Sequence, residues 1–138
     1  MKAYKLIEHT ADISIRVKGS SLKSLFENTA LAMFDIIATK QKSKPAKKET
    51  LKIFQKAQSI EELFINWLNE LLFLSATRGF IFTGFKINNM TDDHIEATVI
   101  AQDSQGYRLN TEIKAATYHQ LQLKKTGSAW QAEVVFDV

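Results

Sequence analysis

The chain contains no cysteine. That single absence removes disulfides, thiolate nucleophiles and cysteine-based zinc or iron–sulfur centres together, and it fits a reducing compartment. One proline and five glycines in 138 residues are too few for a long unstructured linker. No apolar run reaches the roughly 18 residues that cross a bilayer. The opening Met1-Lys2-Ala3-Tyr4-Lys5-Leu6-Ile7 lacks the apolar core of a signal peptide. The expectation is a cytoplasmic protein with no membrane partner. Common catalytic signatures are missing as well: there is no phosphate-binding glycine loop, no nucleophile elbow and no zinc-protease helix. Three scattered histidines are a thin basis for acid–base chemistry.

What remains is an ordinary globular balance, 45% apolar and 24% charged, at the length of one domain spanning 1–138. The net charge of +3 is unevenly placed. Lys40, Lys42, Lys44, Lys47, Lys48, Lys52 and Lys56 stand against Glu49 alone; without residues 40–56 the chain has 11 basic and 14 acidic residues. Two readings of that segment compete. One is a patch for RNA or an acidic partner. The other, favoured because nucleic-acid patches usually add arginine and aromatics, is a solvated loop and edge strand kept soluble by lysine.

Hydrophobic periodicity predicts two helices and mostly antiparallel β-structure, an α+β domain. A short strand near 3–7 leads through a turn at 8–12 to a second strand. There Ile13, Ile15 and Val17 alternate with polar residues. Ser20 or Ser21 caps a helix whose stripe is Leu22, Leu25, Phe26, Thr29, Ala30, Met33, Phe34 and Ile37. Pro45 marks the following lysine-rich loop as non-helical, and a strand is expected at 50–56. Ser59-Ile60-Glu61-Glu62 reads as a capping box. It opens a second helix with the stripe Ile60, Leu63, Phe64, Trp67, Leu68, Leu71 and Leu72; Ile65, Phe73 and Leu74 lie off the stripe, so burial on more than one side is predicted. Gly79 ends this helix. Strands at 80–87 and 94–101 form a hairpin, Ser104-Gln105-Gly106 is a turn, and strands at 118–124 and 129–136 form a second hairpin. The inward set of the last strand is Trp130, Ala132, Val134 and Phe136.

The chemistry-bearing candidates are carboxylates. Asp12 sits in a turn entering a strand, off that strand's core face, where it either satisfies backbone N–H groups locally or faces a ligand. Asp137 lies off the face of Phe136 and Val134, near a chain end that frays unless held. The patterning of 130–138 up to its last residue argues for a held strand, which would also fix the α-carboxylate of Val138. Two carboxylates and such an oxygen suit a hard cation: Ca²⁺ first, with Mg²⁺ or Mn²⁺ as alternatives. Period 2 places His119 with Leu121 and Leu123, the position of a satisfied core histidine. Lys114 reads as a surface lysine and His9 as a cap for the turn holding Asp12.

Four blocks taken in order are more specific than any of these parts. They are Glu8-His9-Thr10-Ala11-Asp12-Ile13, Trp67-Leu68-Asn69-Glu70-Leu71-Leu72, Glu112-Ile113-Lys114-Ala115-Ala116-Thr117-Tyr118-His119, and the closing Trp130-Gln131-Ala132-Glu133-Val134-Val135-Phe136-Asp137-Val138. Together they resemble the archease family over essentially the whole chain. The resemblance implies a non-enzymatic cofactor of the GTP-dependent RNA-splicing ligase, which seals tRNA halves and other ends bearing a 2′,3′-cyclic phosphate. Such a cofactor promotes guanylylation and multiple turnover of the ligase. The resemblance also implies a metal site at Asp12, Asp137 and Val138, with His9, Lys114 and His119 as candidate partner-facing residues. Ser14 stands where many relatives have glycine, Ala116 where many have valine, and Ile36-Ile37-Ala38-Thr39 lacks an aspartate often seen at the end of the first helix. Asp35, within that helix, does not inherit the role.

Three rivals accompany this reading: an RNA-binding or RNA-chaperone module working through Lys40–Lys56, a modulator of a tRNA methyltransferase, and a metal-dependent phosphohydrolase using Asp12 and Asp137. A ligase helper would touch tRNA only indirectly. It would act by preferential binding of one ligase state and would need no nucleophile of its own.

Overall fold

Strand pairing organises the molecule. The computed structural model describes residues 3–8, 12–41 and 47–138. Chain order runs β1 (Tyr4–Glu8), β2 (Asp12–Gly19), α1 (Leu22–Ile37), β3 (Ala38–Lys40), β4 (Lys48–Lys56), α2 (Ile60–Arg78), β5 (Phe80–Met90), β6 (His94–Asp103), β7 (Tyr107–Leu109), β8 (Ala115–Thr126) and β9 (Ala129–Asp137). A 3-10 turn at Ser104–Gly106 links β6 to β7. One sheet has the order β1-β2-β9-β8 and a second the order β4-β6-β5, while β3 and β7 form a small pair. Every pairing is antiparallel. The predicted α+β architecture, with two helices on antiparallel sheet, is what the chain adopts.

The helix ends follow local chemistry. The Ser21 hydroxyl accepts from Ser24 N–H at 3.1 Å, and the Ser24 hydroxyl accepts from Ser21 N–H at 2.9 Å. Serine thus fills the place glutamate usually takes in a reciprocal cap. Ser59 accepts from Glu62 N–H at 3.1 Å, as predicted, but the Glu62 carboxylate reaches one residue further back, to Gln58 N–H at 3.0 Å. Gly79 closes α2 in the left-handed region, φ +69°, where a side chain would be strained.

The inward residues form one core. Ile15, Val17, Leu25, Phe26, Met33, Phe64, Trp67, Leu68, Val99, Val134 and Phe136 are buried together. The predicted stripes supply it, and Ala132, Val134 and Phe136 of the last strand are fully enclosed. Phe26 and Phe64 meet edge-to-face at 5.0 Å, joining the two helices. The Trp67 indole N–H donates to Phe26 C=O at 3.0 Å, so this buried aromatic leaves no orphan donor. Off the α2 stripe, Ile65 and Leu74 are buried as predicted, but Phe73 is 60% exposed.

Strand limits moved where pairing extends beyond the local pattern. Strand β4 begins at Lys48, two residues before the predicted start, because its register with β6 runs from Lys48↔Gln102 to Lys56↔His94. Strand β8 begins at Ala115, three residues before the predicted start, opposite Asp137. The β3–β7 pair was not anticipated; three-residue strands carry too few alternations to be recognised. Pro45, Lys42 and Lys44 lie outside the described residues.

Candidate functional site

Antiparallel pairing brings the beginning of β2, the end of β9 and the beginning of β8 to one end of a sheet. Asp12 is directly opposite Asp137 across β2–β9. Asp137 is directly opposite Ala115 across β9–β8, and its C=O accepts from Lys114 N–H at 2.7 Å. Directly opposed residues in such a ladder hold their Cβ atoms about 4.5–5.5 Å apart, within reach of one shared cation. The first and last sequence blocks, 125 positions apart at Asp12 and Asp137, therefore meet side by side, with Lys114 of the third block beside them.

The second block fastens this arrangement from outside. The Asn69 side chain on α2 donates to Ala116 C=O at 3.1 Å and accepts from Ala116 N–H at 2.7 Å. An amide side chain here stands in for a neighbouring strand on the open edge of β8.

The face carrying the aspartates is less solvated than period 2 suggested. Ile15 with Val134 and Val17 with Ala132 point to the core, so Asp12 and Asp137 share the other face with the pairs Ser14–Val135 and Arg16–Glu133. Ser14 and Val135 are themselves buried, 6% and 5% exposed. Asp12 Oδ1 is buried and has no hydrogen-bond partner among the described residues. A buried carboxylate oxygen without donors is costly and is the kind of atom a cation satisfies. Asp137 and Val138 are exposed beside it. The donor set is all oxygen, which suits Ca²⁺, Mg²⁺ or Mn²⁺ and disfavours softer metals. Among the described residues no group of three His, Cys, Asp or Glu side chains gathers. Next along the same face, Arg16 reaches Glu133 at 3.3 Å, closing the row with a partly exposed ion pair.

The remaining candidates separate. His9 lies outside the described residues. Lys114 is exposed and borders the rim. His119 is exposed, which overturns its reading as a core histidine. The cause is a break in β8: Thr117 pairs with Val135 and Gln122 with Glu133, so four residues, 118–121, face Val134 alone. Gln120 takes φ +54° within that bulge. Counting by twos fails across such an insertion, and Tyr118, His119 and Gln120 all emerge at the surface. Burial pushes the Tyr118 phenol upward from its ordinary range, with the nearby negative charge of Glu62 adding to the effect. Ser14 has no positive φ, so serine costs nothing in backbone strain there.

One feature was invisible in the sequence. A cavity of about 700 Å³ opens beside Lys114, between α2 and the segment 109–115. Asn69, Phe73, Leu109, Glu112 and Lys114 are among its lining residues. Phe73 and Leu109 are 60% and 65% exposed at its mouth. The end of α1 closes another wall, where Ile37 C=O accepts from Asn110 N–H at 2.7 Å.

Comparison with known proteins gives a consistent picture. The model of the Archease protein family matches residues 4–138. The archease of Methanosarcina barkeri is 38% identical over 144 residues, covering 99% of this chain and 97% of that protein. The archease of Pyrococcus abyssi is 33% identical, with 100% of both chains covered. Among solved structures, the solution structure of protein 1598 of Methanobacterium thermoautotrophicum superposes with a TM-score of 0.74 at 28% identity, covering 100% of both chains. The crystal structure of an archease, possible chaperone, from Thermotoga maritima gives 0.69 at 26% identity, covering 97% of this chain and 96% of that one. Order of blocks, sheet topology and full-length similarity agree: the chain belongs to the archease family.

Proposed function

We propose that the chain is a non-enzymatic activator of the GTP-dependent RNA-splicing ligase, working through the rim formed by Asp12, Asp137 and Val138. The observation that carries this reading is the pairing of Asp12 with Asp137 around a buried carboxylate oxygen that has no hydrogen-bond partner among the described residues. The described site offers no nucleophile poised beside a base. It does offer a charged rim that a partner can recognise, next to an open groove with exposed Phe73 and Leu109. An accessory protein of this kind accelerates its partner by binding one of the partner's states more tightly than the other.

Asp12 and Asp137 would hold a hard divalent cation, with Val138 supplying an oxygen. Bound there, the cation would balance the charge of the two carboxylates and let the rim meet the ligase as one rigid surface. The chain's own residues do the rest. Asn69 fixes the edge of β8 through its paired bonds to Ala116. The main-chain bond from Lys114 to Asp137 ties the ends of β8 and β9. Lys114 and the groove beside it are suited to contact the ligase, with Phe73 and Leu109 as apolar anchors of the kind that dominate interface energetics.

The reading is tested by the guanylylation step alone. Purified ligase, GTP and metal are combined with and without this protein, and covalent nucleotide on the ligase is followed in time. Faster labelling with the wild type, reduced by Asp137→Asn and by Phe73→Ala, is expected. Labelling unchanged by the protein, with a ligase shown to be competent, rules the reading out. Turnover of a phosphate ester by the isolated protein, lost in Asp12→Ala, would favour a hydrolase in its place.

A further inference from the structure

The second sheet has an outer face of different character. Residues of β6 at odd positions, Ile95, Ala97, Val99 and Ala101, are buried, so the even ones from His94 to Ile100 face outward. The register then defines the whole surface. Lys52 of β4, Thr98 of β6 and Lys86 of β5 form one cross-strand row. Phe54, Glu96 and Asn89 form the row on one side, and Thr50, Ile100 and Gly84 the row on the other. Lys56 opposite His94 extends it at one end.

Three lysines, Lys52, Lys56 and Lys86, therefore share this face with one carboxylate, Glu96, which is engaged by the Asn89 amide at 3.1 Å. Lys86 lies on the opposite edge strand and far from the lysine run in sequence. Solubilising the two edge strands accounts for lysines on β4 and β5. It does not account for a phenylalanine left 52% exposed among them. The Lys56 ammonium is 5.7 Å from the Phe54 ring centre, and the His94 ring centre is 6.2 Å from it. Ile100 lies flat over Gly84, where a Cβ would come within 2.9 Å of its Cδ1, so the middle of the face is low and smooth.

We infer that this outer face of the β4–β6–β5 sheet binds single-stranded RNA, with Lys52 and Lys86 on the phosphates and Phe54 as the stacking platform. A polyanion matches the charge. An exposed ring on an open sheet matches an unstacked base, which a duplex does not present. Lys52 Nζ donates to Thr98 Oγ1 at 2.8 Å, and that hydroxyl donates to Asn88 Oδ1 at 2.8 Å. This polar row can both give and accept hydrogen bonds, as recognition of a 2′-hydroxyl requires. The surface is separate from the aspartate rim, which lies on the other sheet, and it does not depend on the ligase reading.

The test is fluorescence anisotropy with a labelled single-stranded RNA of about a dozen nucleotides, titrated with the whole protein at several salt concentrations. Binding is expected in the range of about 1–100 µM, weakening as salt rises. Phe54→Ala should weaken it about tenfold and leave the salt slope unchanged, and Phe54→Tyr should restore it. The double variant Lys52→Glu, Lys86→Glu should make the log–log slope shallower by about 0.7 per lost phosphate contact. Asp12→Ala should bind RNA as the wild type does. All positions altered on this face are at the surface, and thermal melts verify that the variants fold. Absence of binding at low salt, binding indifferent to Phe54, equal affinity for DNA of the same sequence, or a preference for anionic vesicles over RNA would each overturn the assignment.

Discussion

The two larger sheets share a core and the same two helices, but their outer faces do opposite things. The β1-β2-β9-β8 sheet ends in carboxylates, one of them with a buried oxygen lacking a partner among the described residues. The β4-β6-β5 sheet carries lysines around an exposed phenylalanine. Inward positions are held by packing, where a change of one methylene is felt. Outward positions escape that constraint and can hold charge of either sign. The net charge of +3 thus conceals a carboxylate rim at one place and a lysine face at another.

Several perturbations would break or sharpen this contrast. The largest effect is expected where the sheets are joined. Trp67 is fully buried, and Trp67→Ala should lower stability by about 3–5 kcal/mol, loosening both sheets together in a thermal or denaturant melt. Selective loosening of one sheet would show that the halves fold as separate units. Next comes the cation. Ca²⁺ at about a hundredfold over its dissociation constant should stabilise the wild type by about 2.7 kcal/mol. Asp12→Ala should abolish that gain and the charge reversals on the lysine face should not; calorimetry or melting curves decide.

Asn69→Ala removes both bonds to Ala116 and leaves a half-buried N–H and C=O unpaired. A loss of about 1–3 kcal/mol is expected, with faster hydrogen exchange at Ala116 than along β6. The Arg16–Glu133 pair is partly exposed, so Glu133→Gln should cost at most about 1 kcal/mol, and less in high salt. The smallest effect belongs to the β5–β6 hairpin. The Thr91 hydroxyl, donating at 2.7 Å, holds the Asp93 carboxyl below its ordinary range, with the neighbouring His94 ring adding to it. A depressed carboxylate contributes stability above its unfolded pKa, near 3.8, and loses it as pH falls through the lower folded value. Carbon-detected NMR titration of Asp93 should show that depression shrink in Thr91→Val.

How far the sequence carried this result depends on the range of each interaction. Helix stripes, serine caps, Gly79 and the inward residues of β9 rest on local spacing and were all legible. The meeting of Asp12 with Asp137 was not, since nothing within either strand names its partner; only the resemblance placed them together. Register between distant strands also hid the lysine face. Lys86 and Phe54 look unremarkable until β6 sets them on one surface. Phe54 in turn supplies the aromatic whose apparent absence had favoured a merely solvated lysine run. His119 was misread because four residues bulge against one, and the groove at Phe73 arises from the coil at 109–115, which has no period to read.

The rim's role in ligation is most directly tested by multiple-turnover sealing. The GTP-dependent ligase is supplied with excess RNA ends bearing a 2′,3′-cyclic phosphate, with no helper, with the wild-type protein, or with Asp12→Ala. Sealing that passes well beyond one product per ligase with the wild type, and stalls near one with Asp12→Ala, is the expected result. Equal turnover with wild type and Asp12→Ala, or no gain over ligase alone, would contradict the proposal that the Asp12–Asp137 rim is where this protein acts.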